Sequence, residues 1–133
     1  MPLLLKSSDP RLLFVAGLSM MTVVNEGPYF PTPPQPAGWP KDIGFETIGY
    51  RCSKTALNML MMDWSHKLKA DGVGVWGVGP GFLATNLGGI PEKAKEMGAA
   101  HPRQGAELYR KVVEGERDHH VGKVINKNGL SAL

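Results

Sequence analysis

The sequence predicts an α/β fold, in which a mainly parallel sheet of about three strands carries helices packed against it. Two observations set the strands: RLLFVAGL (11–18) and GVGVWGV (72–78) are short apolar runs with no polar interruption, the pattern of strands inside a parallel sheet. A third sets the connection, because the segment between them ends in a long stretch with helical periodicity. The order strand, long helix, strand, loop, helix, strand then implies right-handed crossovers between parallel neighbours.

The elements follow in chain order. PLLLKSSDP (2–10) reads as a frayed helix end stopped at Asp9-Pro10. RLLFVAGL is expected as a strand buried on both faces. NEGPYFPTPPQPAGWPKDIGF (25–45) is too rich in proline and glycine for a helix or central strand, and reads as a long loop. It is expected to serve as a lid or insertion, with Tyr29, Phe30 and Trp39 as substrate-facing aromatics; its PTPPQP (31–36) also has the spacing of a polyproline II ligand.

A helix is expected from about Glu46 to Ala70, capped by Thr47, closed by Gly72, and carrying Lys67 and Lys69 at its negative pole. Met59, Leu60, Met61, Met62 and Trp64 make it apolar nearly all round, as in a helix covered on two sides. GPGFLATNLGG (79–89) is a loop and PEKAKEM (91–97) a brief helix. HPRQGAELYRKVVEGE (101–116) is an amphipathic helix with Ala106, Leu108, Tyr109, Val112 and Val113 on its apolar side, and GKVINKNG (122–129) supplies a final edge strand.

The 133 residues suffice for one domain with one core, spanning 1–133. With 42% hydrophobic and 20% charged residues the composition is globular. The net charge of +3 is small and the basic residues are interleaved with acids, so no nucleic-acid stripe is present. Cys52 is the one cysteine, which excludes an internal disulfide and fits a reducing compartment. No apolar run reaches the ~18 residues of a membrane span, and the expectation is a soluble cytoplasmic protein.

YRCSKTALNML (50–60) carries the chemistry. Residues four apart share a helix face, so Lys54 can hold its ammonium near the Tyr50 phenol. A nearby cation favours phenolate, which suits a tyrosine to proton transfer. The loop Gly79-Pro80-Gly81-Phe82-Leu83-Ala84-Thr85 follows a strand, and ligands bind beyond the carboxyl ends of parallel strands. Its glycines allow close approach to a flat ring, and Thr85 offers a hydroxyl.

RLLFVAGLS, Tyr50-Arg-Cys-Ser-Lys54 with TALNML, and Pro80-Gly81-x-x-x-Thr85 together resemble the short-chain dehydrogenase/reductase family. The resemblance covers nearly the whole chain and the C-terminal half of such a Rossmann-like domain, without the N-terminal dinucleotide-binding βαβ unit. It implies an oxidoreductase using NAD or NADP on a small-molecule carbonyl or alcohol. Tyr50 would be its acid–base, and Lys54 would promote the phenolate and bind the nicotinamide ribose. Pro80, Gly81 and Thr85 would flank the cofactor. It also allows a homodimer through the long helix.

Two features depart from the family. Ala16 or Gly17 stands where its catalytic serine belongs, and Ser19 is the nearest hydroxyl, expected as a stand-in. Gly72-x-Gly74-x-x-Gly77 spells GxGxxG, but a helix precedes it and a strand runs through it, the wrong context for a phosphate turn. A truncated enzyme is one reading, and a non-catalytic remnant acting through association is the other. No metal site is expected: His119 and His120 should point apart, and His66 and His101 stand alone. Cys52 is expected in the core, on another face from Tyr50 and Lys54.

Overall fold

A computed structural model describes residues 1–17, 34–42 and 47–131. Three parallel strands, β1 (Arg11–Val15), β2 (Gly74–Val78) and β3 (Val124–Asn126), lie in the order β1-β2-β3, and β4 (Gly129–Leu130) adds antiparallel to β3. The helices are α1 (Ile48–Lys67), α2 (Pro91–Glu96) and α3 (Pro102–Val113). The partial parallel sheet read from the sequence is the one observed, with one further strand. The final strand is not itself the edge: Asn126 pairs with Gly129 across a two-residue turn, and Asn126 Oδ1 accepts from the Asn128 amide at 2.8 Å.

Strand alternation divides the core in two. On one face Leu12, Phe14, Ala16, Val75 and Val124 meet Met61, Trp64 and Leu68, the last three supplied by α1 and its cap. On the other face Leu13, Trp76, Val78 and Ile125 meet Leu108, Tyr109 and Val112 of α3. This is a sheet with helices on both faces.

Several expectations are corrected. β1 is an outer strand among the described residues and is only partly buried, where a strand covered on both faces was expected. Thr47 stands at the start of α1 without capping it; its Oγ1 accepts instead from Arg51 Nε at 3.0 Å. Ala106 and Val113 face outward, because the buried stripe of α3 runs through Gly105, Leu108 and Val112. Cys52 is exposed, since the buried stripe of α1 passes through Met61 instead. Met59, Leu60 and Met62 are exposed as well, so α1 is covered on one side by its own sheet. The rings of His119 and His120 lie 3.9 Å apart, because the tight 3-10 turn Asp118–His120 does not spread neighbouring side chains as a strand does. Residues 34–42, the described part of the proline-rich segment, form neither helix nor strand, and Trp39 there is 82% exposed. Tyr29 and Phe30 lie outside the described residues.

An ionic clamp fixes the amino end of β1. Arg11 donates to Asp9 at 2.7 Å, to both Asp118 oxygens at 2.6 and 3.1 Å, and to the Val112 carbonyl at 2.8 Å. That carbonyl is among the last four of α3, which lack partners within the helix and favour a cation. The guanidinium also lies 5.2 Å from the Trp76 ring centroid, and Trp76 Nε1 donates to the Arg117 carbonyl at 3.1 Å. Arg11 holds the Asp118 carboxyl below its ordinary range. Close by, desolvation and then the charges of His119 and Arg117 hold His120 below the ordinary imidazole value.

Two outcomes are expected. Asp118 titrates lower in the folded state, so its contribution is present above the unfolded carboxylate value near ~4 and lost as pH falls through the folded one. His120 resists protonation when folded, so stability falls as pH drops below about 6.5, where the unfolded chain takes up the proton first. Thermal unfolding of wild type, Asp118→Asn and His120→Asn across pH should show each variant missing its own step. Separately, Met61 is fully buried, and Met61→Ala should cost about 2–5 kcal/mol in urea unfolding.

Candidate functional site

α1 delivers Tyr50 and Lys54 to the carboxyl end of β1 because of what lies further along the helix. Lys54, Met61 and Leu68 are seven residues apart, nearly two full turns, so they form one stripe down the helix. Met61 and Leu68 are buried against the sheet, and that burial turns Lys54 toward the sheet too. There Lys54 Nζ donates to the Val15 carbonyl at 2.7 Å and lies 5.7 Å from the centroid of the Tyr50 ring. The pair expected from YRCSK is therefore convergent.

The two positions left open for the family's serine have different surroundings. Ala16 is 3% exposed and its side chain belongs to the core cluster facing α1. Gly17 faces the pair: a Cβ built on it would lie 3.1 Å from the Tyr50 hydroxyl, 2.8 Å from Lys54 Cγ and 3.2 Å from Lys54 Cδ. Ser19 lies outside the described residues.

The Pro80-Gly81 loop leaves the same end of the sheet. Val15 is in register with Val78, and the Ala16 amide donates to the Val78 carbonyl at 2.9 Å, so Gly17 and Pro80 follow from adjacent strand ends. Gly81 has φ of +89°, which favours glycine, and a side chain there would meet open space. Thr85 is exposed; its Oγ1 accepts from the Leu87 amide at 3.4 Å, which leaves the hydroxyl proton to donate.

Sequence reasoning missed two residues that hold this loop. Tyr109 donates its phenol to the Val78 carbonyl at 3.2 Å, and burial pushes its pKa up, keeping it a neutral donor. Gly105 lets α3 lie against the loop: a Cβ there would be 2.5 Å from Leu83 Cδ1 and 3.0 Å from Pro80 Cβ. A glycine inside an amphipathic helix was the available signal, since it weakens the helix unless packing requires it.

The GxGxxG spelling forms no phosphate turn: Gly72 caps the turn after α1 with φ of +71°, and Gly74 and Gly77 lie within β2. The described residues hold no group of three or more metal-ligating side chains. No described helix is long and apolar enough to cross a membrane.

Fold and site define an open α/β domain with a tyrosine–lysine pair at the carboxyl end of β1, and the chain is similar to known proteins. The chain is 48% identical over 134 aligned positions to the short-chain dehydrogenase/reductase tropE of Talaromyces stipitatus, covering 96% of this chain and 49% of that protein. It is 40% identical over 138 positions to the short-chain dehydrogenase/reductase eupG of a Phoma species, with the same coverage. No family model matches. In three dimensions it is similar to the NADPH-bound carbonyl reductase from chicken fatty liver, with a TM-score of 0.66 at 20% identity over 99% of this chain and 49% of that one. The chain is thus similar in sequence and in fold to the C-terminal half of proteins named short-chain dehydrogenase/reductases, and it spans about half the length of the relatives it matches. The resemblance to an oxidoreductase family is borne out.

Gly105→Ala should lower stability by about 1–3 kcal/mol through overpacking against Pro80 and Leu83. Amide exchange of Leu83 and Ala84 should accelerate in the same variant, as that loop is pushed from α3.

Proposed function

We propose that these residues form the acid–base half of an NAD(P)-dependent oxidoreductase of the short-chain type, interconverting a small-molecule carbonyl and alcohol. The observation that supports this best is the convergence of Tyr50 and Lys54 on the strand end beside the Pro80-Gly81 loop. Tyr50 gives a proton to the carbonyl oxygen in reduction and takes it back in oxidation. Lys54 holds its ammonium beside the Tyr50 ring and binds the ribose. Pro80, Gly81 and Thr85 line the nicotinamide, which supplies the hydride when bound. Ser19 remains the proposed hydroxyl donor to substrate. The conditions are those of the cytoplasm, where Cys52 stays reduced.

A second reading is a remnant that acts by association. The exposed Met59, Leu60 and Met62 on α1 and the outer position of β1 among the described residues favour it, because a second copy or a longer relative would bury that surface.

Titration of the purified chain with NADPH and NADH, followed by nucleotide fluorescence, should saturate with one or both. Carbonyl-dependent NADPH oxidation should fall by about 10²-fold or more in Tyr50→Phe, the usual worth of a positioned acid, while nucleotide binding persists. If neither nucleotide saturates and sedimentation shows concentration-dependent self-association, the remnant reading takes its place.

A further inference from the structure

We infer that Gly17 is the positioning residue of the Tyr50–Lys54 pair, and that a side chain at position 17 is incompatible with the pair as it stands. The inference deepens the oxidoreductase reading and rests on it for its functional meaning. Its physical basis is separate. The Lys54 stem is held at both ends, at its Cα by α1 and at its ammonium by the Val15 carbonyl 2.7 Å away. Between those points it passes over Gly17 closely enough that an added Cβ would sit 2.8 Å from Cγ and 3.2 Å from Cδ. Real Cβ atoms do not approach carbon at 2.8 Å, so the stem must move.

A free lysine would turn aside at little cost. Here a shift of the middle works against the Nζ hydrogen bond to the Val15 carbonyl. The same added atom would lie 3.1 Å from the Tyr50 hydroxyl, so both members of the pair are disturbed together. Gly17 does not adopt a positive φ, and its value here is the space it leaves, not its backbone freedom.

The consequence runs against simple analogy. Position 17 is one of the two positions where a catalytic serine belongs in the family that the chain resembles, which makes Gly17→Ser look like a repair. In this structure Gly17→Ser dismantles the pair instead of completing it. The hydroxyl that serves a substrate must therefore come from elsewhere than position 17.

A double-mutant cycle tests this on the chain as it is. Gly17→Ala and Gly17→Ser should each lower Tm by about 4 °C or more in the wild-type background, and by much less beside Lys54→Ala, which removes the stem they strike. Lys54 should also become more reactive toward acetic anhydride in both variants, on the order of threefold as its hydrogen bond is released, with Lys67 and Lys93 unchanged. The wild type needs no variant: nuclear Overhauser contacts from Gly17 Hα to Lys54 and to the Tyr50 ring should be present. Equal Tm losses in both backgrounds, or absent Overhauser contacts, overturn the inference. Coupling between positions 17 and 54 in a protein that binds neither NADPH nor NADH supports the placement of Gly17 while removing the oxidoreductase reading, so the two fail separately.

Discussion

The parallel register of β1 on β2 is the constraint from which the site follows. Arg11 to Val15 pair in step with Gly74 to Val78, so both strands end at the same level and their following loops emerge side by side. A slip of one residue would turn Leu12 and Phe14 away from α1 and carry Ala16 out of the core with them. The register is held at its two ends by different means. At the amino end Arg11 is gripped by Asp9, Asp118 and the end of α3. At the carboxyl end the Val78 carbonyl receives both the Ala16 amide and the Tyr109 phenol. The rigid floor beneath the Pro80-Gly81 loop is therefore built from both faces of the sheet.

The long helix serves two demands with one stripe. Its lower turns place Met61, Trp64 and Leu68 in the core, and its first turns place Tyr50 and Lys54 at the strand end. These are not independent achievements, because a rigid helix that buries Met61 has already chosen the direction of Lys54. This also explains why the apolar run Met59 to Met62 misleads. Four successive apolar residues encircle a helix, but only Met61 lies on the stripe that the sheet covers, and its neighbours are left exposed.

The same reasoning separates what was legible in the sequence from what was not. β1, α1, β2, α2, α3 and β3 could each be read from periodicity and punctuation, because burial leaves that signature in a strand or helix. The Tyr50–Lys54 pair was legible from spacing, and the likeness of the whole chain to an oxidoreductase family from three motifs in order. Burial itself was less so. Cys52 and Val113 look like core residues by type, and their exposure depends on which side of a helix meets the sheet, a tertiary fact. The Arg11 clamp joins residues more than a hundred positions apart, and no local pattern announces it. Gly17 is the clearest case: in sequence it reads as the loss of a serine, whereas in space it is the opening through which Lys54 reaches the strand.

That opening ties the chemistry to the polar accounting of the sheet. The Ala16 amide turns toward β2 to meet Val78, and in a trans peptide the carbonyl of Val15 must then point the opposite way, to the outer edge of β1. A backbone acceptor on an outer edge needs a partner. Lys54 supplies it, and in doing so brings its ammonium beside the Tyr50 ring. One hydrogen bond thus satisfies the last acceptor of β1 and holds a positive charge beside the Tyr50 ring. Any strand that adjoins β1 must leave the Val15 carbonyl to Lys54 if the pair is to keep this geometry. The end of the strand and the placement of the Tyr50–Lys54 pair are tied together through the same carbonyl oxygen.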